Sequence, residues 1–91
     1  IAIGAGAINA DTLSSSNIAI GNSAIGSGNH TYSNIAIGHE AMFNGSGNNN
    51  IAMGYEALYN SNEYDNLAIG ETSLFATADG LYNIGIGKST L

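Results

Sequence analysis

The sequence lacks cysteine entirely, and its 91 residues include only one lysine or arginine, Lys88, against seven acidic residues. Without cysteine the chain can form neither a disulfide framework nor a thiolate metal site. The net charge of -6 argues against a nucleic-acid partner, because binding to a phosphate backbone needs clustered lysine and arginine. No apolar run approaches the roughly 20 residues of a membrane span. We therefore expect neither nucleic-acid binding nor membrane insertion.

A five-residue unit, Asn-Ile-Ala-Ile-Gly, recurs along the whole chain with small variations. Its apolar part begins at Ile1, Ile18, Ile35, Ile51, Leu67 and Ile84, so that successive copies start 16 or 17 residues apart. A second pair, a small residue followed by a large apolar one, comes shortly after each glycine, as in Ala24-Ile25 and Ala57-Leu58. The spacing predicts two short strands in every repeat.

Such strands are too short to form a sheet along the sequence. If equivalent strands of successive repeats stack as parallel ladders, every backbone group gains a partner and like residues align in columns. A helical interpretation fails because glycine interrupts every unit. We predict an all-β protein, a parallel β-solenoid of 16- to 17-residue repeats that occupies residues 1–91 as one array and is a fragment of a longer fibre.

Two columns are predicted to hold the turns of the solenoid. Glycine after each strand suits a corner with positive φ or a close approach of two backbones, and asparagine before each strand suits hydrogen bonds to local backbone and along its own column. The predicted structural residues are Gly4, Gly21, Gly38, Gly54, Gly70 and Gly87, with Asn17, Asn34, Asn50, Asn66 and Asn83.

A third column consists of alanine at the centre of the strands. Alanine is a poor strand former, so a uniformly small column indicates close packing against another layer. We predict that this face lies against other copies of the chain in a homo-oligomer. The predicted interface residues are Ala2, Ala19, Ala36, Ala52 and Ala68.

The Asn-Ile-Ala-Ile-Gly units resemble the YadA-like head repeats of trimeric autotransporter adhesins. They are also similar to the Asn-x-Ala-Ile-Gly-x-x-Ala-Leu repeats of bacteriophage tail-fibre proteins. The resemblance covers the whole chain, although the units here are longer than the adhesin repeat. It implies a homotrimeric fibre, exported to a bacterial cell surface or assembled onto a virion, that serves for attachment or as a spacer.

Aromatic residues follow the second strand on three successive repeats and also lie in the connecting loops. The first group is predicted to stack as a ladder that packs a corner or a groove between chains. The alternative is a stripe that contacts a host-cell receptor or a glycan. The candidate contact residues are Tyr32, Tyr64, Phe43, Tyr59 and Phe75.

The remaining polar residues do not indicate catalysis or a cofactor. His30 and His39 do not share a column, and solvated turns explain them better than metal ligation does. Glu40 and Glu56 share a column, which we interpret as a solvated corner rather than a calcium site. Lys88 is expected to form a surface ion pair with Glu71.

The sequence therefore predicts a structural fibre segment for surface attachment, with no enzymatic activity, cofactor or metal. The alternative is a subunit of a self-assembling extracellular filament, in which solenoid ends stack chain on chain.

Overall fold

The computed structural model describes residues 1–9, 15–26, 31–60, 62–76 and 80–90. These residues contain six short strands and no helix. The strands are β1 (Ala2–Ile3), β2 (Ile18–Ile20), β3 (Ile35–Ile37), β4 (Ile51–Met53), β5 (Leu67–Ile69) and β6 (Ile84–Ile86). They form one parallel sheet in sequence order, which confirms the predicted all-β parallel β-solenoid.

Equivalent residues of successive units lie beside one another in the sheet. Ile35 pairs with Ile51, Ala36 with Ala52, and so on through the array. The strands remain three residues long or shorter because a glycine follows each one, yet each of the four inner strands gains a ladder on both sides from its two neighbours. Below, a strand together with the connection that follows it is called a rung.

The second apolar segment of each rung is not a regular strand, so the prediction of two strands per rung is wrong for the described residues. It contributes one isolated parallel bridge, between Ile8 and Ile25. At Leu58 and Leu74 the backbone has positive φ, 50° and 48°. A strand alternates its side chains between two faces, whereas here two consecutive residues, Ala57 and Leu58, are both buried. Only a turning backbone can direct both into the core.

Four residues of the alanine column form part of the core of a single chain, so the prediction that these four contact other chains is wrong. Ala19, Ala36, Ala52 and Ala68 are all 0% exposed. The opposite wall fills the interior with Ile25, Met42, Leu58 and Leu74, which leaves room only for a methyl group on the strand side. The large apolar residues on either side of these four alanines therefore point outward. Ala2, in the first rung, is exposed.

Buried asparagines connect the rungs at the start of strands β2 to β5. The Asn50 backbone N–H donates to Asn34 Oδ1 at 2.8 Å, and Asn34 Nδ2 donates to the Gly47 carbonyl at 2.9 Å. The same backbone-to-side-chain bond joins Asn17 to Asn34 and Asn66 to Asn83. Four amide oxygens in this column thus accept a backbone N–H that the turn would otherwise leave unpaired, although Asn66 Nδ2 is buried without a hydrogen-bond partner.

The glycine corners combine an unusual backbone conformation with close contact between rungs. Gly38 has φ of 131°, and a Cβ placed on it would lie 2.6 Å from the Gly54 carbonyl oxygen. The corner therefore excludes any side chain for two separate reasons.

These two reasons can be separated by comparing Gly38→Ala with Gly87→Ala. Gly87 has a similar φ of 119°, but the nearest atom to its added Cβ, on Thr90, is 3.4 Å away. Gly87→Ala should cost about 1–3 kcal/mol from backbone strain alone. Gly38→Ala should cost more than about 4 kcal/mol, because the next rung must also move. Urea unfolding measures both, and equal losses would show that the contact between rungs is unimportant.

The asparagine column can be tested at Asn34. Asn34→Ala should lower the free energy of unfolding by about 2–5 kcal/mol, because the Asn50 N–H and the Gly47 carbonyl both lose a buried partner.

Asn34→Asp is the matched control because it keeps the shape and the acceptor of the amide. Burial beside the Gly47 carbonyl should raise the pKa of the introduced carboxyl, since only the protonated form can donate there. With the folded pKa above the unfolded value, this stability is present at acidic pH and lost as pH rises through the folded pKa. Thermal unfolding at acidic and neutral pH should show the difference, and a pH-independent result would contradict the donor role of Asn34.

Candidate functional site: aromatic columns on the solenoid surface

The first aromatic column is the ladder Phe43, Tyr59 and Phe75. Backbone bonds on the following residues hold its register, from Asn44 N to Tyr59 O at 2.8 Å and from Asn60 N to Phe75 O at 2.9 Å. The ring centroids of Phe43 and Tyr59 are 5.4 Å apart, and those of Tyr59 and Phe75 are 5.0 Å apart with planes only 5° from parallel. The predicted ladder is thus present.

The stacking covers most of the faces of these rings. Both faces of Tyr59 are covered by its neighbours, and the Phe43 ring lies over Gly26, where an added Cβ would collide with it. Phe75, at the end of the ladder, is exposed. The ladder therefore presents mainly ring edges to solvent, which favours a packing role over face-on contact with a ligand.

A second column, which we call the tyrosine column, contains Tyr32, Asn48 and Tyr64 on three consecutive rungs. The Asn49 N–H donates to Tyr32 O and the Asp65 N–H donates to Asn48 O, both at 3.1 Å. Asn48 Oδ1 also accepts the Tyr32 N–H at 2.8 Å. Tyr32 and Tyr64 are 38% and 44% exposed, so these two candidate contact residues, like Phe75, are accessible to solvent.

A third column runs along the glycine corner and was not predicted to contain a ring stack. The His39 and Tyr55 rings stack at 5.4 Å, and farther along the same column Lys88 Nζ lies 3.3 Å from Glu71 Oε2, the expected surface pair. The signal was in the sequence, because His39 and Tyr55 both directly follow a column glycine.

Acidic side chains set the electrostatics of this corner. Glu56, through a hydrogen bond and its charge, raises the pKa of the exposed Tyr55 above its ordinary value, and Glu40 and Glu71 add to the effect. His39 Nδ1 lies 4.0 Å from Glu40 Oε2. The side chains of Glu40 and Glu56 occupy the partly exposed corner where the sequence placed them.

Metal ligation has no candidate cluster in the part of the chain that the structure describes. No group of three or more histidine, aspartate or glutamate side chains there could hold an ion, and His30 lies outside the described residues. The described surface also contains no cavity. The surface features of the described residues are the three columns of side chains, which run parallel to one another along the rod.

Comparisons with known proteins do not name a family. The chain matches no family model, no curated protein and no solved structure. Among the described residues there is no helix of the length and apolarity that crossing a bilayer requires.

The different roles of the ladder and the tyrosine column can be tested with one pair of variants. Tyr59→Ala removes a ring that is stacked on both faces. The loss of these two aromatic pairs should lower the free energy of unfolding by about 1–3 kcal/mol. Tyr64→Ala, in the tyrosine column, should change stability by less than about 0.5 kcal/mol. Chemical denaturation measures both changes, and equal losses would mean that the ladder contributes no special stabilisation.

Proposed function

We propose that this chain is a rod-forming segment of a homo-oligomeric surface fibre, built of 16- to 17-residue repeats and used for attachment. The resemblance of its units to adhesin heads and phage tail-fibre repeats supports a trimer on a bacterial surface or a virion.

The observation that carries this proposal is the outer face of the sheet, which we call the isoleucine face. Strands β2 to β5 each point two large apolar side chains outward, on either side of the buried alanine. Single exposed apolar residues are ordinary, but a contiguous apolar surface marks an interaction site. The face comprises Ile1, Ile3, Ile18, Ile20, Ile35, Ile37, Ile51, Met53, Leu67, Ile69, Ile84 and Ile86.

The periodicity of the isoleucine face favours another copy of the chain as its partner. The face repeats at every rung, with the spacing of about 4.8 Å between neighbouring strands. A partner that fills its grooves along the full length needs the same period, and a second copy lying parallel has it. A closed ring of copies around the rod axis would cover every such face without leaving an open end.

Charge also permits close association of the copies. The strand positions contain only isoleucine, leucine, methionine, alanine and glycine, although the chain carries a net charge of -6. The acidic residues Glu40, Glu56 and Glu71 lie at the glycine corner instead. Association through the isoleucine face would thus bury apolar area without the cost of burying a carboxylate.

The attachment role is supported by the aromatic residues outside the isoleucine face. Tyr32 and Tyr64 remain exposed on the rod, and tyrosine gives a large contact area at low cost in conformational entropy. The core columns are occupied in holding the rungs together, so ligand contact belongs to these surface positions.

Substitutions at two neighbouring residues on opposite faces of one strand test whether the isoleucine face forms the interface of the oligomer. Ile51→Glu places a charge on the isoleucine face, where Ile51 is 36% exposed, whereas Ala52→Glu places the same charge in the core. Ile51→Glu should produce a folded monomer, because every neighbouring copy meets an unpaired carboxylate. Ala52→Glu should unfold the chain. Light scattering gives the oligomeric state and circular dichroism the fold.

A wild-type chain that is monomeric at all concentrations, or an Ile51→Glu variant that keeps the wild-type oligomer, would contradict the proposed interface. Electron microscopy distinguishes the alternative function. Filaments that lengthen with concentration, in place of a discrete oligomer, would favour the self-assembling extracellular filament.

A further inference from the structure

Sulfur in this chain is confined to two methionines, Met42 and Met53, because the sequence has no cysteine. Met42 belongs to the core and is 0% exposed, whereas Met53 lies in β4 and is 39% exposed. Side chains alternate along a strand, so Met53 faces outward beside the buried Ala52 and forms part of the isoleucine face. The chain thus has one buried methionine and one accessible methionine.

Met53 interrupts a column that is otherwise uniform. It pairs with Ile37 on one neighbouring strand and with Ile69 on the other. The remaining members of the column are Ile3, Ile20 and Ile86. Isoleucine is branched at Cβ and suits a strand, whereas methionine is unbranched and flexible. Strand formation does not call for methionine here, and the property that it adds to the column is an oxidisable sulfur.

Oxidation would change the character of this side chain. Hydrogen peroxide converts a methionine thioether to a sulfoxide. The O–O bond of the peroxide breaks and an S–O bond forms, so the sulfur loses two electrons and the second peroxide oxygen leaves as water. A sulfoxide reductase reverses the step, because two thiols become a disulfide while the sulfoxide oxygen leaves as water. The reaction therefore turns an apolar group into a polar one, reversibly.

The isoleucine face has no donor for a sulfoxide oxygen. The outward positions of the strands carry only isoleucine, leucine and methionine. Backbone N–H groups near Met53 are already used between strands, since Gly54 N–H donates to Ile37 O and Gly70 N–H donates to Met53 O, both at 2.8 Å. A second copy that covers the face would remove water from the sulfoxide and supply no partner in its place, which makes association less favourable.

We infer that Met53 makes the isoleucine face a redox-sensitive interface, at which peroxide weakens the association of the copies and reduction restores it. The free chain exposes Met53, whereas a neighbouring copy on the isoleucine face would cover it. The free copy is therefore the form that reacts, and the oxidised copy is the form that no longer associates well. This inference rests on the proposed function and adds a regulation of the same face.

Light scattering before and after treatment with dilute hydrogen peroxide tests the inference, and peptide mass spectrometry locates the added oxygen atom. The oxygen should appear on Met53 and not on the buried Met42. Once Met53 is fully oxidised, the dissociation constant of the oligomer should rise at least about tenfold. Methionine sulfoxide reductases that act on both epimers should restore the original value. Unchanged association after complete oxidation of Met53 would overturn the inference.

Two variants assign the effect to position 53. Met53→Ile is the matched control because it continues the isoleucine column, and it should form the oligomer and keep it in peroxide. Met53→Gln carries a polar amide on a side chain of similar length, and it should weaken association at least about tenfold without any oxidant. Circular dichroism should show both variants folded, since the side chain points away from the core. An oligomer of Met53→Ile that dissociates in peroxide, or a Met53→Gln variant that associates as the wild type does, would overturn the inference.

The rate of oxidation provides an independent measurement. In the wild type, Met53 should react more slowly as the chain concentration rises, because more copies are assembled and cover it. In the Ile51→Glu variant, which should stay monomeric, the rate should not depend on the chain concentration. A wild-type rate that is equally independent of concentration, in samples that light scattering shows to be assembled, would overturn the inference.

The same measurements distinguish failure of this inference from failure of the proposed function. A wild-type chain that is monomeric before oxidation would overturn the fibre proposal and this inference together. An oligomer that Ile51→Glu disrupts, but that survives complete oxidation of Met53, would overturn this inference alone and leave the isoleucine face as the interface.

Discussion

Direct stacking of one rung on the next is the constraint on which the rest of this structure depends. At the corners the backbones approach so closely that a Cβ on Gly38 would lie 2.6 Å from the Gly54 carbonyl oxygen. Before each of the strands β2 to β5, a buried asparagine amide accepts a backbone N–H of the next rung. Each rung interacts mainly with the rungs before and after it, so stability is shared along the stack and does not reside in a single unit.

The stack also supports backbone conformations that an isolated rung would not keep. Glu40 and Glu56 both have positive φ, 55° and 54°, which costs about 1–2 kcal/mol per residue for a side chain larger than glycine. Their N–H groups donate to Asn22 O and His39 O at 3.0 Å in the preceding rungs. Because the ladder holds these turns, their side chains take fixed positions along the corner.

Because equivalent residues align in columns, a side chain that is exposed on one rung is repeated on the next, and together these side chains form a continuous surface. One outward isoleucine would be unremarkable on any protein, but repetition at each rung makes an apolar face that suits a second copy. Aromatic residues on adjacent rungs bury each other's faces, as Phe43, Tyr59 and Phe75 do. Tyr32 and Tyr64 lie two rungs apart with Asn48 between them, and neither stacks on another ring of the described residues.

Much of the architecture could be predicted from the recurring Asn-Ile-Ala-Ile-Gly unit. Its period required stacked parallel strands, and its glycine and asparagine columns indicated the corners, because few other residues tolerate those backbone conformations or satisfy buried backbone groups. The ladder of Phe43, Tyr59 and Phe75 also followed from their equal offsets.

The sequence could not decide which face of the strand points inward. An Ile-Ala-Ile strand places isoleucine on one side and alanine on the other, and either side can be the core. Local pattern favoured the larger residues inside, yet Ala36 and Ala52 are buried and Ile51 is exposed. The answer depends on the opposite wall, where Met42 and Leu58 reach the interior from a turning backbone and fill it. Core volume is shared between walls distant in sequence, so only the tertiary structure could settle it.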